Sequence, residues 1–466
     1  MSARGSMMSQ EKQSAQALAG FVAAKAGEYR VPGAAVGVLV GGRELYAAHG
    51  VTNLDNPAPV DEHTLFHLAS VTKTFTGTAL IRLAEEGRVD LDAPVRRYVP
   101  DLVLADESTA ARITVGNLLN HTAGLDWNLI DADGDDDSLA GFVARLSRLA
   151  TIAPPGTRAS YSQAGYNLAG RVIENVTGMS YEKAVAALVL EPLGLTDTVF
   201  EIDEVMVRKF AVGHNPDADG VLRPARPWAA WRAGARGNNP GGGIVSSVAD
   251  LLRWARFHLG EVDGVLSADA LRRMRERTVE MRASTLGDGV GISWFLRGVD
   301  GVRTIGHGGS GNGQFAELLI VPERNFAVVS LSNVGPDGFR FNQDVVRWAL
   351  EHHLGVVERD PQPIPHDEAR AREVAGRYQG DAMFLDIATD GTGLTLEVGI
   401  KPEVRAASET EMPPDYPPAA IGFLPGDGDE YVLVEGGLQG QRGYFSRDES
   451  GTVVGIDLAG RLFVRA

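Results

Sequence analysis

The chain has 466 residues, enough for more than one domain, and its 44% hydrophobic content supports sizeable buried cores. It contains no cysteine, which excludes disulfides, thiolate catalysis and cysteine-rich zinc sites. A formal net charge of −17 with no basic stripe argues against nucleic acid and anionic membrane surfaces as partners.

The opening stretch, Met1 to Lys12, lacks the apolar core of a signal peptide, and no run of about 20 apolar residues follows anywhere. A cytoplasmic protein with a disordered segment over 1–14 is expected. The runs 31–40 and 43–48 are strand-like, and Gly41-Gly42 between them suits a tight primed turn. Ser70-Val71-Thr72-Lys73 then heads a mostly apolar helix that stops at Gly87. A serine and a lysine three apart share one face of a helix, so an amine stands one turn behind a hydroxyl at the helix mouth. That pairing suits an activated serine nucleophile. Alone, S-x-x-K reads equally well as a helix cap followed by a surface lysine.

The segment 113–125 contains Leu118-Leu119-Asn120-His121-Thr122-Ala123-Gly124-Leu125. Asp131 to Asp137 begins like a calcium loop. Asp136 replaces the required glycine and Phe142 stands where the bidentate glutamate belongs, so a solvated acidic loop is expected. Tyr161-Ser162-Gln163 lies between the turn-forming Pro154-Pro155-Gly156-Thr157 and a helix predicted over 165–176. Pro240-Gly241-Gly242-Gly243 leads into another capped helix. His307-Gly308-Gly309 precedes the strand-like run 314–321. Residues 306–311 fit G-x-G-x-x-G, but a strand follows them and not a helix, so the dinucleotide reading fails. No G-x-S-x-G elbow supports an α/β-hydrolase. After Leu354 a proline-punctuated linker and a short charged helix over 367–375 lead into short strands at regular spacing, the pattern of a small antiparallel barrel. The expected bounds are 15–357 for the first domain, 358–370 for the linker and 371–466 for the barrel.

The order Ser-x-x-Lys, Tyr-x-Asn or a variant, then His-x-Gly before a strand resembles the serine β-lactamase and penicillin-binding-protein superfamily. Within it the chain is similar to the branch that holds class C β-lactamases, family VIII esterases and D-stereospecific aminopeptidases. The resemblance extends over about residues 15–355 and includes the opening hairpin, the L-L-x-H-T-x-G-L signature and the glycine turn at 240–243. It implies an α/β (α+β) transpeptidase-like fold with an antiparallel sheet and a helical lobe, followed by a lipocalin-like C-terminal β-barrel.

By the same resemblance Ser70 is the nucleophile, Lys73 and Tyr161 activate it, and His307 faces the cleft. The backbone N–H groups of Ser70 and Ser310 form the oxyanion hole, with Gly309 as the one-residue alternative. Gln163 replaces the usual asparagine that holds a substrate carbonyl, and it and Gly309 are placed beside the substrate. Tyr166-Asn167 offers a second placement of the tyrosine motif; Tyr161 is preferred. A protonated Lys73 nearby is expected to draw Tyr161 toward phenolate and make it the base. His121 is expected to support its loop. In cyclising relatives an arginine near the end of the barrel meets a substrate carboxylate. Arg461 matches it by position, with an ordinary surface arginine as the alternative. The implied activity is a serine hydrolase or acyltransferase working through an acyl-Ser70 intermediate on a small ester, amide or peptide, without metal or cofactor. A carboxylesterase on small acyl esters comes first. The alternatives are a D-specific peptidase or amidase, a penicillin-binding-protein-type thioesterase that cyclises nonribosomal peptides, and a non-enzymatic acyl or peptide sensor.

Overall fold

The opening hairpin sits at one edge of an eight-stranded antiparallel sheet in the computed structural model, which describes residues 3–130, 138–226, 236–408 and 411–466. The sheet's strands, in chain order, are β1 (Gly33–Val40), β2 (Arg43–Gly50), β3 (Val279–Glu280), β4 (Gly289–Val290), β5 (Phe295–Val299), β6 (Val302–Ser310), β7 (Phe315–Val321) and β8 (Phe326–Ser332). In space they run β2-β1-β8-β7-β6-β5-β4-β3. Both ends of the first domain therefore meet inside the sheet, one strand in from the hairpin's edge, where β1 pairs with β8 from Ala34↔Ser332 to Val40↔Phe326.

The central strands are apolar on both sides because both faces are covered. In β8, Ala327, Val329 and Leu331 join the core of the helical lobe, while Phe326 and Val328 join a second core on the opposite face. The two-residue period of a strand makes this division. On the second face lie helix α1 (Ala3–Glu28), through Leu18, Val22 and Ala26, and a C-terminal helix, Gly338–Leu354, through Phe341, Val345 and Leu350. The segment expected to be disordered over 1–14 is thus helical from Ala3. Its Ala, Met, Gln, Glu and Lys residues are strong helix formers, and the packed second half of α1 gives them a helix to extend. The acidic stretch Asp131 to Asp137 lies outside the described residues.

On the first face α2 (Thr72–Glu85) is the central helix, buried along most of its length. Beside it run α3 (Gln163–Thr177) and α4 (Val248–Leu259). The hydroxyl of Ser162 caps α3 by accepting from the Gly165 N–H, so this helix begins two residues before its predicted start.

Past Leu354 the chain is irregular until a short helix, Glu368–Val374, which places Ala371 and Val374 against the barrel interior. Eight strands follow: β9 (Gly376–Gln379), β10 (Met383–Thr389), β11 (Leu394–Ile400), β12 (Tyr416–Phe423), β13 (Glu430–Leu433), β14 (Arg442–Arg447), β15 (Val453–Leu458) and β16 (Arg461–Arg465). They close into an up-and-down barrel when β9 meets β16 at Tyr378↔Arg465 and Gln379↔Val464, which removes both sheet edges. The barrel is fastened to the first domain by polar contacts. The Asp126 carboxylate accepts from the Asp381 N–H at 2.7 Å, the Asp381 carboxylate accepts from the Ala150 N–H at 2.8 Å, and Arg158 donates to the Tyr444 hydroxyl at 2.9 Å. Among the described residues, no helix is long and apolar enough to cross a membrane.

Candidate active site

Ser70 lies in the single 3₁₀ turn Ala69–Val71 that opens α2. Its predecessor Ala69 is held at φ +45°, a left-handed conformation that a residue with a Cβ adopts at a cost and that concentrates at functional sites. The kink faces Gly309 of β6. A Cβ at that position would stand 2.1 Å from the Leu68 carbonyl oxygen and 3.0 Å from the Ser70 nitrogen. Only glycine allows the strand to approach the nucleophile this closely. Ser310 ends β6 and lines the same cavity as Ser70.

Lys73 is fully buried. Its Nζ lies 3.1 Å from Ser70 Oγ, 2.5 Å from Gln163 Oε1 and 2.7 Å from the Gly241 carbonyl oxygen. The two carbonyls can only accept. A neutral amine gives each of them one N–H and keeps its lone pair for the Ser70 hydroxyl. Burial, with the Arg461 charge adding to it, holds Lys73 well below its usual value, in agreement with that proton count. Gln163 keeps its amide oxygen on Lys73 because its Nε2 donates to the Asn238 carbonyl at 3.4 Å. Gly241 makes this possible, since a Cβ there would stand 2.1 Å from Gln163 Nε2. The residue expected at the substrate carbonyl therefore holds the amine.

Tyr161 is buried, lines the cavity beside Ser70, and holds its ring 4.8 Å from Lys73 Nζ. Burial pushes its pKa up to about 12, outweighing the opposing pull of Arg461 and of the Ser70 side chain. The expected drift toward phenolate is thus reversed. In a dry pocket both groups favour their neutral forms, a free amine and an intact phenol. Tyr166, the alternative tyrosine, points elsewhere: its hydroxyl donates to the Leu119 carbonyl at 2.7 Å and lies 2.9 Å from Ser293 Oγ.

Two loops clamp Tyr161. On one side the Ser160 N–H donates to the His121 carbonyl at 2.8 Å, and the Ser162 N–H donates to His121 Nδ1 at 3.1 Å. His121 thus supports the loop, itself at φ +61°. On the other side the clamp comes from the barrel. The Tyr161 N–H donates to the Gly460 carbonyl at 2.7 Å, and the Leu462 N–H donates to Ser160 Oγ at 3.3 Å. Between these two bonds Arg461 lays its guanidinium 4.7 Å from the Tyr161 ring centre and 5.5 Å from that of Trp127. Its Nε is buried without a hydrogen-bond partner, and among the described residues no carboxylate lies within 4 Å of it.

His307 faces the same space. Its Nδ1 lies 2.7 Å from the Gly308 carbonyl, which can only accept, so the ring proton sits on Nδ1 and Nε2 is an unpartnered acceptor. Burial, helped by Lys73, lowers its pKa to about 3, so the ring is neutral. The cavity lined by Ser70, Trp127, Tyr161, His307, Ser310 and Arg461 holds about 890 Å³ and is walled by both domains. The Gly241 carbonyl, the Gly460 carbonyl and Trp127 belong to the site without having been identified from the sequence. The glycine run at 240–243 was a signal for the first. A backbone carbonyl in a turn some 300 residues from Tyr161 leaves no such mark.

The family model for Beta-lactamase matches residues 16–352. The chain is 33% identical over 364 residues to Penicillin-binding protein 4 of Amycolatopsis lactamdurans, across 76% of this chain and 94% of that one. The structure of SurE superposes with a TM-score of 0.75 at 26% identity, covering 98% of this chain and 100% of SurE; the structure of SurE with D-Leu gives 0.70 at 26% identity, covering 97% and 99%. The octameric penicillin-binding protein homologue from Pyrococcus abyssi shares the fold through both domains, with a TM-score of 0.67 at 24% identity over 96% of this chain and 99% of that one. The chain belongs to the β-lactamase family and is a serine hydrolase of the β-lactamase and penicillin-binding-protein type.

Proposed function

We propose that the protein transfers a peptidyl acyl group through Ser70, and that the amine leaving or attacking that acyl group carries a free carboxylate held by Arg461. Neutral Lys73 takes the Ser70 proton as Oγ adds to the substrate carbonyl. The developing oxyanion is met by the Ser70 N–H at the mouth of α2 and by the N–H of Ser310 or Gly309. The Tyr161 phenol, which lines the cavity beside Ser70, passes a proton to the departing amine and is restored through Lys73. The acyl-enzyme is then resolved by water or by an incoming amine along the reverse path. His307 Nε2 accepts a hydrogen bond from the substrate.

The observation that carries this reading is Arg461. An enclosed guanidinium stacked on the proposed proton donor, with no carboxylate of its own among the described residues, is a site for one from the substrate, and its planar fork suits bidentate binding. A cavity near the upper end of the range for small-molecule sites supports a peptide over a short acyl ester. D-Leu, the amino acid in one SurE structure, is an amine bearing a carboxylate, which supports a D-configured residue at this end. The reading therefore favours the D-specific peptidase and peptide-cyclising alternatives over the small-ester carboxylesterase.

The test compares peptides that end in a D-residue with a free carboxylate against the same peptides as C-terminal amides. Wild type should favour the carboxylates through KM, and Arg461→Ala should shrink that preference by about tenfold or more. Equal kinetics for both series in wild type would return the carboxylesterase to first place. A burst of acylation without steady turnover on every substrate would favour the sensor.

A further inference from the structure

We propose that the cavity has a second arm, behind β6, that binds an ammonium group of the substrate through Glu317. This rests on the reading of the substrate as a peptidyl group carried by Ser70. Along β6 the side chains alternate, so His307 and Gly309 face Ser70 while Gly306 and Gly308 face the other side of the sheet. Glu317 of β7 sits directly across from Gly308 and shares that far side. The register of β5 with β6 ends at Gly306↔Phe295, so the edge from His307 to Ser310 is open among the described residues. Glycines at 308, 309 and 311 keep this edge low, and the cavity that begins at Ser70 continues over it to Glu317, Thr304 and Gln343. Tyr416 and Gln441 of the barrel unit roof the arm.

Glycine at 308 also makes room for the carboxylate, because a Cβ there would stand 2.8 Å from Glu317 Oε2. The one hydrogen bond found for this carboxylate among the described residues comes from Gln343 Nε2, at 3.3 Å. The neighbouring cations are already engaged. Arg297 pairs with Glu358 at 2.7 Å, Arg347 lies 3.7 Å from Glu358 and also pairs with Asp360, and Arg442 donates to the Ser284 carbonyl at 3.2 Å. Among the described residues no lysine or arginine lies within 4 Å of Glu317. Burial raises its pKa to about 7, with Glu358 adding to the rise and Arg297 opposing it. A cationic ligand would recover the desolvation cost of the ionised carboxylate. A single carboxylate beside an amide suits a monovalent ammonium and not a metal ion. The cavity then has an end for an anion, at Arg461, and an end for a cation, at Glu317.

An ammonium can come from the peptide's amino terminus or from a basic side chain. Three series of p-nitrophenyl esters of short D-residue peptides, three to six residues long, separate these sources: free amino terminus, N-acetylated, and N-acetylated with a lysine in the first position. Wild type should show a KM at least about tenfold lower for one ammonium series, at some length, than for the neutral series. In Glu317→Gln that ratio should fall toward one, and Glu317→Asp, which shortens the carboxylate's reach, should shift the favoured length. The wild-type preference should strengthen as pH rises through about 7, because Glu317 gains its charge there, and fade below. A preference confined to one ammonium series identifies the source. Failure of every ester to place an acyl mass on Ser70 would overturn the peptidyl reading itself. Normal acylation with no ammonium preference in wild type, or a preference that survives in Glu317→Gln, would overturn the subsite alone.

Discussion

The two cations of the cleft stand on different terms. Lys73, at the mouth of α2, has the Gln163 and Gly241 oxygens for its protons and the Ser70 hydroxyl for its lone pair. Arg461, offered by the barrel, has aromatic faces beneath it and a buried Nε with no acceptor among the described residues. Scarcity of carboxylates does not explain this, since the chain has 61 acidic residues against 44 basic ones, and half-buried Arg297 finds Glu358 at 2.7 Å. A polar group whose partners are complete belongs to machinery set before the substrate arrives. One left incomplete in an enclosed site is a place kept for the substrate, because an unmet buried donor is costly and persists where a ligand completes it.

The machinery side can be broken most severely. Ser70→Ala should lower turnover by about 10³–10⁶ while leaving the fold intact, because it deletes one hydroxyl. Lys73→Ala and Tyr161→Phe should each cost on the order of the serine change, and the double variant little more, since the two groups serve one proton path. Steady-state rates, with mass spectrometry locating a phosphonate adduct, check all three. An adduct on another serine, or near-wild-type rates in Lys73→Ala, would remove the distinction between the two cations.

The barrel side should matter even for substrates too small to reach Arg461. Ending the chain at residue 357 removes the Gly460 carbonyl from the Tyr161 N–H and the Leu462 N–H from Ser160. Small displacements of a proton-transfer group are costly, so hydrolysis of p-nitrophenyl acetate should fall by about 10²-fold, with circular dichroism confirming that the first domain remains folded. Unchanged hydrolysis would show that the His121 loop positions Tyr161 by itself, and the barrel would then contribute to recognition alone.

This dependence was not visible in the sequence, whereas much of the rest was. Ser70 and Lys73 share a helical turn, and β1 and β8 are apolar in the pattern of buried strands, because these features repeat at the local periods that sequence preserves. The closed barrel was foreseen from evenly spaced short strands and turn glycines. Hidden from view were relations between distant backbones. Gln163 was expected at the substrate and holds Lys73, because that depends on how closely the glycine turn at 240–243 approaches. Tyr161 was expected near phenolate because a lysine lies close, but burial weighs on both groups and decides the protonation of each. Glu317 read as one polar residue in a strand, and only the register that places it opposite Gly308 shows its carboxylate in the cavity.

The same neutral pair gives a milder test in the pH profile. Activity needs Lys73 unprotonated and Tyr161 protonated. The rate should therefore rise with pH through the depressed value of Lys73 and hold until the phenol ionises near 12. Arg461 is one cause of that depression. Removing its charge in Arg461→Ala favours protonated Lys73, so the rising limb should move to higher pH by less than about one unit. Rates on a small neutral ester, which does not need the guanidinium for binding, isolate this effect. A limb that stays in place would mean that burial alone sets the lysine and that Arg461 acts on the substrate only.

The smallest kinetic change is expected at Tyr166, five residues from Tyr161 and equally buried. Its hydroxyl donates to the Leu119 carbonyl and approaches Ser293 Oγ, away from Ser70, so it ties the His121 loop to the sheet. Tyr166→Phe removes one of two donors to the Leu119 carbonyl, which also accepts from the Ser293 N–H at 3.0 Å; it should cost about 0.5–1.5 kcal/mol of stability and change turnover by no more than about twofold. Thermal or urea unfolding reads the first quantity and steady-state kinetics the second. If Tyr166→Phe loses activity while Tyr161→Phe keeps it, the proton path runs through Tyr166 and Asn167. Tyr161 would then pack beside the nucleophile and move no proton.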